Sequence, residues 1–200
     1  MTYNIGIVIF DGVEELDFVG PWEVLKAAAE HRGNAEILLI APTMDQIVCE
    51  KGMRILPDCS FDTAPNIDVV IVPGGSGARK ELDNKPTVAW LRDTAAGCDW
   101  VTSVCTGAFL LVGSGLAQGA RVTTHHDFVA DLENLGMAEV VSGTRMVKDG
   151  NLVTAAGVMS GIEMSLWLAE EVFGAEAESY ARRYIAYDYP PAASRIGFDR

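Results

Sequence analysis

The sequence predicts a single α/β domain over residues 1–200, an open, mostly parallel sheet sandwiched by helices, with a nucleophile elbow at the carboxyl edge of the strands. Three observations predict it. Short runs rich in Val and Ile are apolar on both faces, as in parallel strands covered on each side. Stretches with helical periodicity alternate with those runs, which is the pattern of crossover connections. At Val104-Cys105-Thr106-Gly107 a strand passes into an apolar helix with two residues, Cys105 and Thr106, to make the corner.

Residues 3–10 read as a buried central strand, and Asp11-Gly12 as the turn after it. Gly20-Pro21 then opens a helix that runs to about residue 29, placing Asp17 in the loop that leaves the strand. Residues 35–41 are a second buried strand. Residues 47–56 and 59–61 read as a shorter, polar-edged excursion turning at Gly52. Residues 68–73 form a third strand that runs directly into Gly74-Gly75-Ser76-Gly77, and residues 87–96 have helical periodicity. After the strand 100–104 and the apolar helix 107–113 come a short strand at 121–124, a helix at 126–135 and a strand at 138–141. Asp149-Gly150 is a hairpin turn joining 145–148 to 152–155. The helix 160–173 carries Ile162, Leu166, Ala169 and Phe173 on one stripe, and a last helix covers 175–186 before Pro190-Pro191. Ligands of such sheets sit beyond the carboxyl ends of the strands.

Composition narrows the partners. Against 28 Asp and Glu there are 15 Lys and Arg, a net charge of −13. The cations are scattered apart from Arg182-Arg183, so a nucleic-acid backbone would be repelled. No apolar run approaches the ~20 residues of a membrane span. The four cysteines, Cys49, Cys59, Cys98 and Cys105, form no Cys-x-x-Cys pair, and the first residues show neither a basic start nor a small-residue cleavage site. The expectation is a cytoplasmic protein with free thiols, a small-molecule substrate, and neither nucleic acid nor membrane as partner.

Asp17, the Gly74-Gly75 loop and Cys105 converge on the carboxyl edge. A cysteine at a strand-to-helix corner projects from the backbone, and the following amides and the positive helix end favour its thiolate. A buried, inert thiol is the common state of cysteine, but the corner Ser103-Val104-Cys105-Thr106-Gly107-Ala108 favours a nucleophile. Gly74-Gly75 is either a tight turn or part of an anion hole in which the Gly75 and Thr106 amides face the space over Cys105. Glu14 and Glu15 read as solvated loop charges. Asp17, between Leu16 and Phe18, reads as partly buried and able to share a proton with the thiol, the alternative being a helix-entry cap. His125 and His126 suggest a Cys-His dyad or a metal site only weakly, because adjacent histidines point apart and no spacing completes a ligand set. His31 fits a helix C-terminal end.

These residues carry a resemblance. Gly6-Ile7-Val8-Ile9-Phe10-Asp11-Gly12-Val13, Leu16-Asp17-Phe18-Val19-Gly20-Pro21-Trp22-Glu23, Val72-Pro73-Gly74-Gly75, Cys105-Thr106-Gly107-Ala108, Thr123-Thr124-His125 and the run from Thr154 to Ile162 resemble the ThiJ/PfpI superfamily, which is class I glutamine amidotransferase-like, in its isonitrile hydratase branch. The resemblance covers nearly the whole chain and implies a flavodoxin-like sheet and a homodimer, with no cofactor and no metal. Peptidase-like members follow the nucleophile with His; Thr106 stands there in this chain, which disfavours a peptidase. The hydratase-like members carry an Asp at the place of Asp17 and a Thr after the Cys, as here. His126 departs from the aromatic residue expected after Thr-Thr-His.

The resemblance implies a lyase that hydrates an isonitrile to an N-substituted formamide. Cys105 is the expected nucleophile and Asp17 the proton carrier, with Thr106, Gly74, Gly75 and His125 binding substrate or its oxyanion. Two rivals stand beside it: a glyoxalase- or deglycase-like enzyme in which Cys105 adds to an aldehyde and His125 moves the proton, and a non-enzymatic redox sensor built on a low-pKa, exposed Cys105.

Overall fold

The computed structural model describes residues 2–188 and the segment Arg195–Ile196. In chain order the strands are β1 (Tyr3–Val8), β2 (Ala35–Ala41), β3 (Ile47–Val48), β4 (Arg54–Ile55), β5 (Cys59–Ser60), β6 (Val69–Val72), β7 (Trp100–Val104), β8 (Arg121–Val122), β9 (Glu139–Val140), β10 (Met146–Asp149), β11 (Leu152–Ala155) and β12 (Arg195–Ile196). The helices are α1 (Glu15–Arg32), α2 (Ser76–Lys80), α3 (Lys85–Ala95), α4 (Gly107–Gly113), α5 (Val129–Glu133), α6 (Val158–Phe173) and α7 (Ala175–Tyr184).

Eight of these strands make one sheet in the order β12-β10-β11-β7-β6-β1-β2-β5. Every neighbouring pair is parallel except β10 with β11. The central strands are buried along most of their length because both faces are covered. One group of helices is α1, α6 and α7, which pack on one another; a second is α2, α3 and α4, joined through the 3-10 turn Glu81–Asp83. Ile5, Ile7, Ile71, Leu110 and Leu111 lie fully buried between the layers. Winding reverses between β1 and β6, since β2 lies on one side of β1 and β6 on the other. That reversal opens a crevice at the carboxyl ends of these strands.

Several boundaries differ from the sequence expectation. Helix α1 begins at Glu15, a full turn before Gly20-Pro21, and Pro21 lies inside it. Asp17 is therefore in the first helical turn and not in a loop, and it is not the cap, since Glu14 occupies that position. Tertiary contacts override the proline signal: Phe18 is buried, and Glu15 Oε1 accepts the backbone N–H groups of Lys51 and Met53, pinning the first turn to the β3–β4 hairpin. Ser76 and Gly77, expected as loop, start α2, where the backbone N–H and hydroxyl of Ser76 both donate to Glu50. The helix expected at 126–135 divides into a 3-10 turn, His126–Phe128, and α5. The last helix ends at Tyr184, and Pro190-Pro191 lies outside the described residues. Among the described residues no helix is long and apolar enough to cross a membrane.

Candidate active site

The corner is built as the sequence implies. Cys105 follows β7 with φ 56°, a left-handed backbone that a β-substituted residue adopts only when its surroundings hold it there. Three hydrogen bonds hold it: Cys105 N donates to the Ala155 carbonyl at 2.9 Å, and the Cys105 carbonyl accepts from Thr124 Oγ1 at 2.9 Å and from the Ala108 N–H at 3.4 Å. The helix then leaves immediately against β6. A Cβ on Gly107 would lie 2.0 Å from the Val72 carbonyl oxygen, so this position takes no side chain.

Asp17 and the Gly74 loop meet Cys105 there. Asp17 is fully buried; its Oδ2 accepts the Gly74 N–H at 3.0 Å, and its Oδ1 is left without a hydrogen-bond partner of good geometry. Gly74 is held by close approach: a Cβ would lie 2.6 Å from the Thr106 nitrogen and 2.8 Å from Asp17 Oδ2. Thr106 Oγ1 accepts the Gly75 N–H at 3.0 Å and lies 3.1 Å from the Gly75 carbonyl, to which it donates. This corrects the anion-hole expectation. The Gly75 amide is occupied by the Thr106 hydroxyl and the Gly74 amide by Asp17, which leaves the Thr106 N–H as the amide directed at the Cys105 sulfur.

Burial dominates the electrostatics. The Asp17 carboxyl is pushed up to about 7 by desolvation; the Gly74 N–H opposes this, and the negative charge of Glu14 adds to it. The Cys105 thiol is pushed up to about 12, first by desolvation and then by the charge of Asp17, with the Thr106 N–H and hydroxyl pulling the other way. The redox-sensor reading requires an exposed, low-pKa thiol; Cys105 is instead buried, and its thiol sits beside an acid. The two groups titrate as a pair. Asp17 raises the thiol while the hydrogen bond from the thiol lowers Asp17, so the carboxyl gives up its proton first and one proton stays between the two.

A pocket of about 220 Å³ opens over the thiol, bounded by Glu14, Glu50, Gly75, Ser76, Arg79, Cys105, Thr106, His125, Phe128 and Val158. His125 is thus brought to the same cavity as Cys105, whereas His126 is outside it. Sequence reasoning missed Glu50, Ser76, Arg79 and Phe128. Glu50 arrives on the β3–β4 hairpin, through its N–H to the Val13 carbonyl, and its carboxyl is held below the usual range by the Ser76 donors. Arg79 lies 4.5 Å from the Phe128 ring. Nothing in the local sequence marks Glu50, Arg79 or Phe128, which tertiary folding alone brings in, whereas Ser76 lies in the glycine-rich loop the sequence singles out.

Residues 4–171 match the DJ-1/PfpI family, a run that includes Asp17, Gly74, Cys105 and His125. The chain belongs to that family. It is 34% identical to an isonitrile hydratase of Pseudomonas putida, over 96% of this chain and 81% of the relative. A glutathione-independent glyoxalase of Caenorhabditis elegans is 25% identical over 83% of this chain and 86% of its own. Among solved structures, a ThiJ/PfpI protein from Pseudomonas syringae superposes with a TM-score of 0.86 at 28% identity, covering 96% of this chain and 78% of that one.

Proposed function

We propose that this DJ-1/PfpI protein is an isonitrile hydratase, with Cys105 as nucleophile and Asp17 as proton carrier. The observation that carries the reading is the buried Asp17 carboxyl paired with the thiol at a corner where Thr106 leaves no adjacent histidine. With one proton between them, the thiol gives that proton to Asp17 as sulfur bonds to the terminal carbon of the isonitrile. Asp17 then delivers it to the same carbon, which leaves an S-linked thioimidate. Water adds to this carbon with Asp17 taking one of its protons and passing it to the nitrogen, and the Thr106 N–H steadies the adduct. The carbon–sulfur bond breaks as the adduct's hydroxyl proton passes through Asp17 to the sulfur, and the N-substituted formamide leaves with its new N–H and C=O. No cofactor is required by this sequence of steps.

Formamide production from cyclohexyl isocyanide tests it. Wild type is expected to turn over, and Cys105→Ala and Asp17→Ala to lose activity by at least about a hundredfold, the scale of a missing positioned proton carrier. Absence of formamide from wild type, or full turnover by Cys105→Ser, overturns the reading. His125 on the same cavity favours a second one, aldehyde addition at Cys105 with His125 moving the proton. Methylglyoxal consumption lost in His125→Ala would support it, and consumption surviving that change removes it. The redox-sensor reading has less to stand on, because the thiol is buried and its pKa is raised. Family membership also supports a cytoplasmic homodimer as part of the proposal.

A further inference from the structure

Outside the reacting pair, the 3-10 turn after β8 gathers three potential ligands. Sequence reasoning set a metal aside because neighbouring histidines diverge. Here His125 is extended and His126 begins the turn, so the two rings stack with centroids 4.2 Å apart. Asp127 lies against both: its Oδ2 is 3.7 Å from His125 Nδ1 and its Oδ1 is 3.3 Å from His126 Nε2. One donor atom from each of the three residues falls within 4.8 Å of the others.

We propose that His125, His126 and Asp127 form a binding site for a divalent first-row transition ion such as zinc. Four donors about 2.0–2.1 Å from zinc in a tetrahedron stand roughly 3.3–3.4 Å from one another. The separation to His126 matches that edge and the one to His125 exceeds it, and His125 Nδ1 also accepts the Asp127 N–H at 3.3 Å; rotation of the exposed His126 and Asp127 side chains, with the ion replacing that hydrogen bond, completes a three-residue tripod with a fourth position open to water. His126 and Asp127 are exposed, at 84% and 68%, so binding requires no charged group to be buried. Two imidazoles and one carboxylate are donors suited to zinc, copper or nickel and not to calcium or magnesium. The strongly negative chain raises the local concentration of cations. The site is separate from the proposed hydration chemistry except that His125 also walls the Cys105 pocket.

Calorimetric titration of the full chain with zinc chloride tests the site. Wild type is expected to bind a single ion at this turn, with unchanged affinity in Cys105→Ala. His126→Ala and Asp127→Asn are expected to weaken it by at least the roughly tenfold to hundredfold that even outer-shell partners cost. Both replaced side chains are exposed, so unaltered circular dichroism is expected to accompany the loss. Equal affinity in these two variants, loss of binding in Cys105→Ala, or no binding by wild type overturns the proposal.

Discussion

A single buried carboxyl decides how the centre responds to pH. Because Asp17 holds its proton more tightly in the folded chain than in the unfolded one, it contributes stability that is fully present below about pH 4 and is lost as pH rises through about 7. A shift from an ordinary carboxylate to about 7 corresponds to something on the order of 4 kcal/mol. Denaturant unfolding of wild type and Asp17→Asn from pH 4 to pH 8 is expected to show the wild type losing several kcal/mol relative to the variant across that window. The neutral amide keeps an oxygen for the Gly74 N–H but cannot titrate. Parallel curves for the two proteins would show that the buried carboxyl is not the perturbed group. Hydratase turnover is expected to rise over the same interval, because the one-proton state of the pair appears as the first proton leaves.

At the scale of elements, the site depends on how closely three segments approach. Gly74→Ala places a methyl group within 3 Å of both the Thr106 nitrogen and Asp17 Oδ2, so the β6 loop, α1 and the elbow cannot all keep their positions. Displacement near 1 Å costs about a hundredfold in rate, and an assay of Gly74→Ala is expected to show a loss of that order. The sequence made this region legible in part. Cys105, Gly74 and Asp17 could be placed on one edge because strand runs and Gly pairs are local signals. The start of α1 could not, because the buried Phe18 and the Glu15 bonds to a distant hairpin outweigh the local signal of Pro21. The occupied Gly75 amide was equally hidden, since it depends on which rotamer Thr106 adopts across the loop. Glu50 and Phe128 reach the pocket from segments with no motif at all.

For the whole molecule, the apolar side chains left outside the core bear on assembly. Leu16, Val48 and Met53 are exposed around the same junction of α1 with the β3–β4 hairpin, and Leu56 follows just after it. A homodimer using this face is expected to sediment at twice the chain mass, with Met53→Asp and Leu56→Asp shifting the mass to that of one chain; a monomeric wild type would refute the arrangement. The elbow itself bears on the entire fold, because the strained residue and the residue proposed to react are the same. A glycine at 105 would relax the left-handed backbone while removing the sulfur. On the proposed hydratase reading, a lineage selected solely for heat tolerance would therefore drift toward silent forms of this protein, and turnover would persist only where its product is under selection as well.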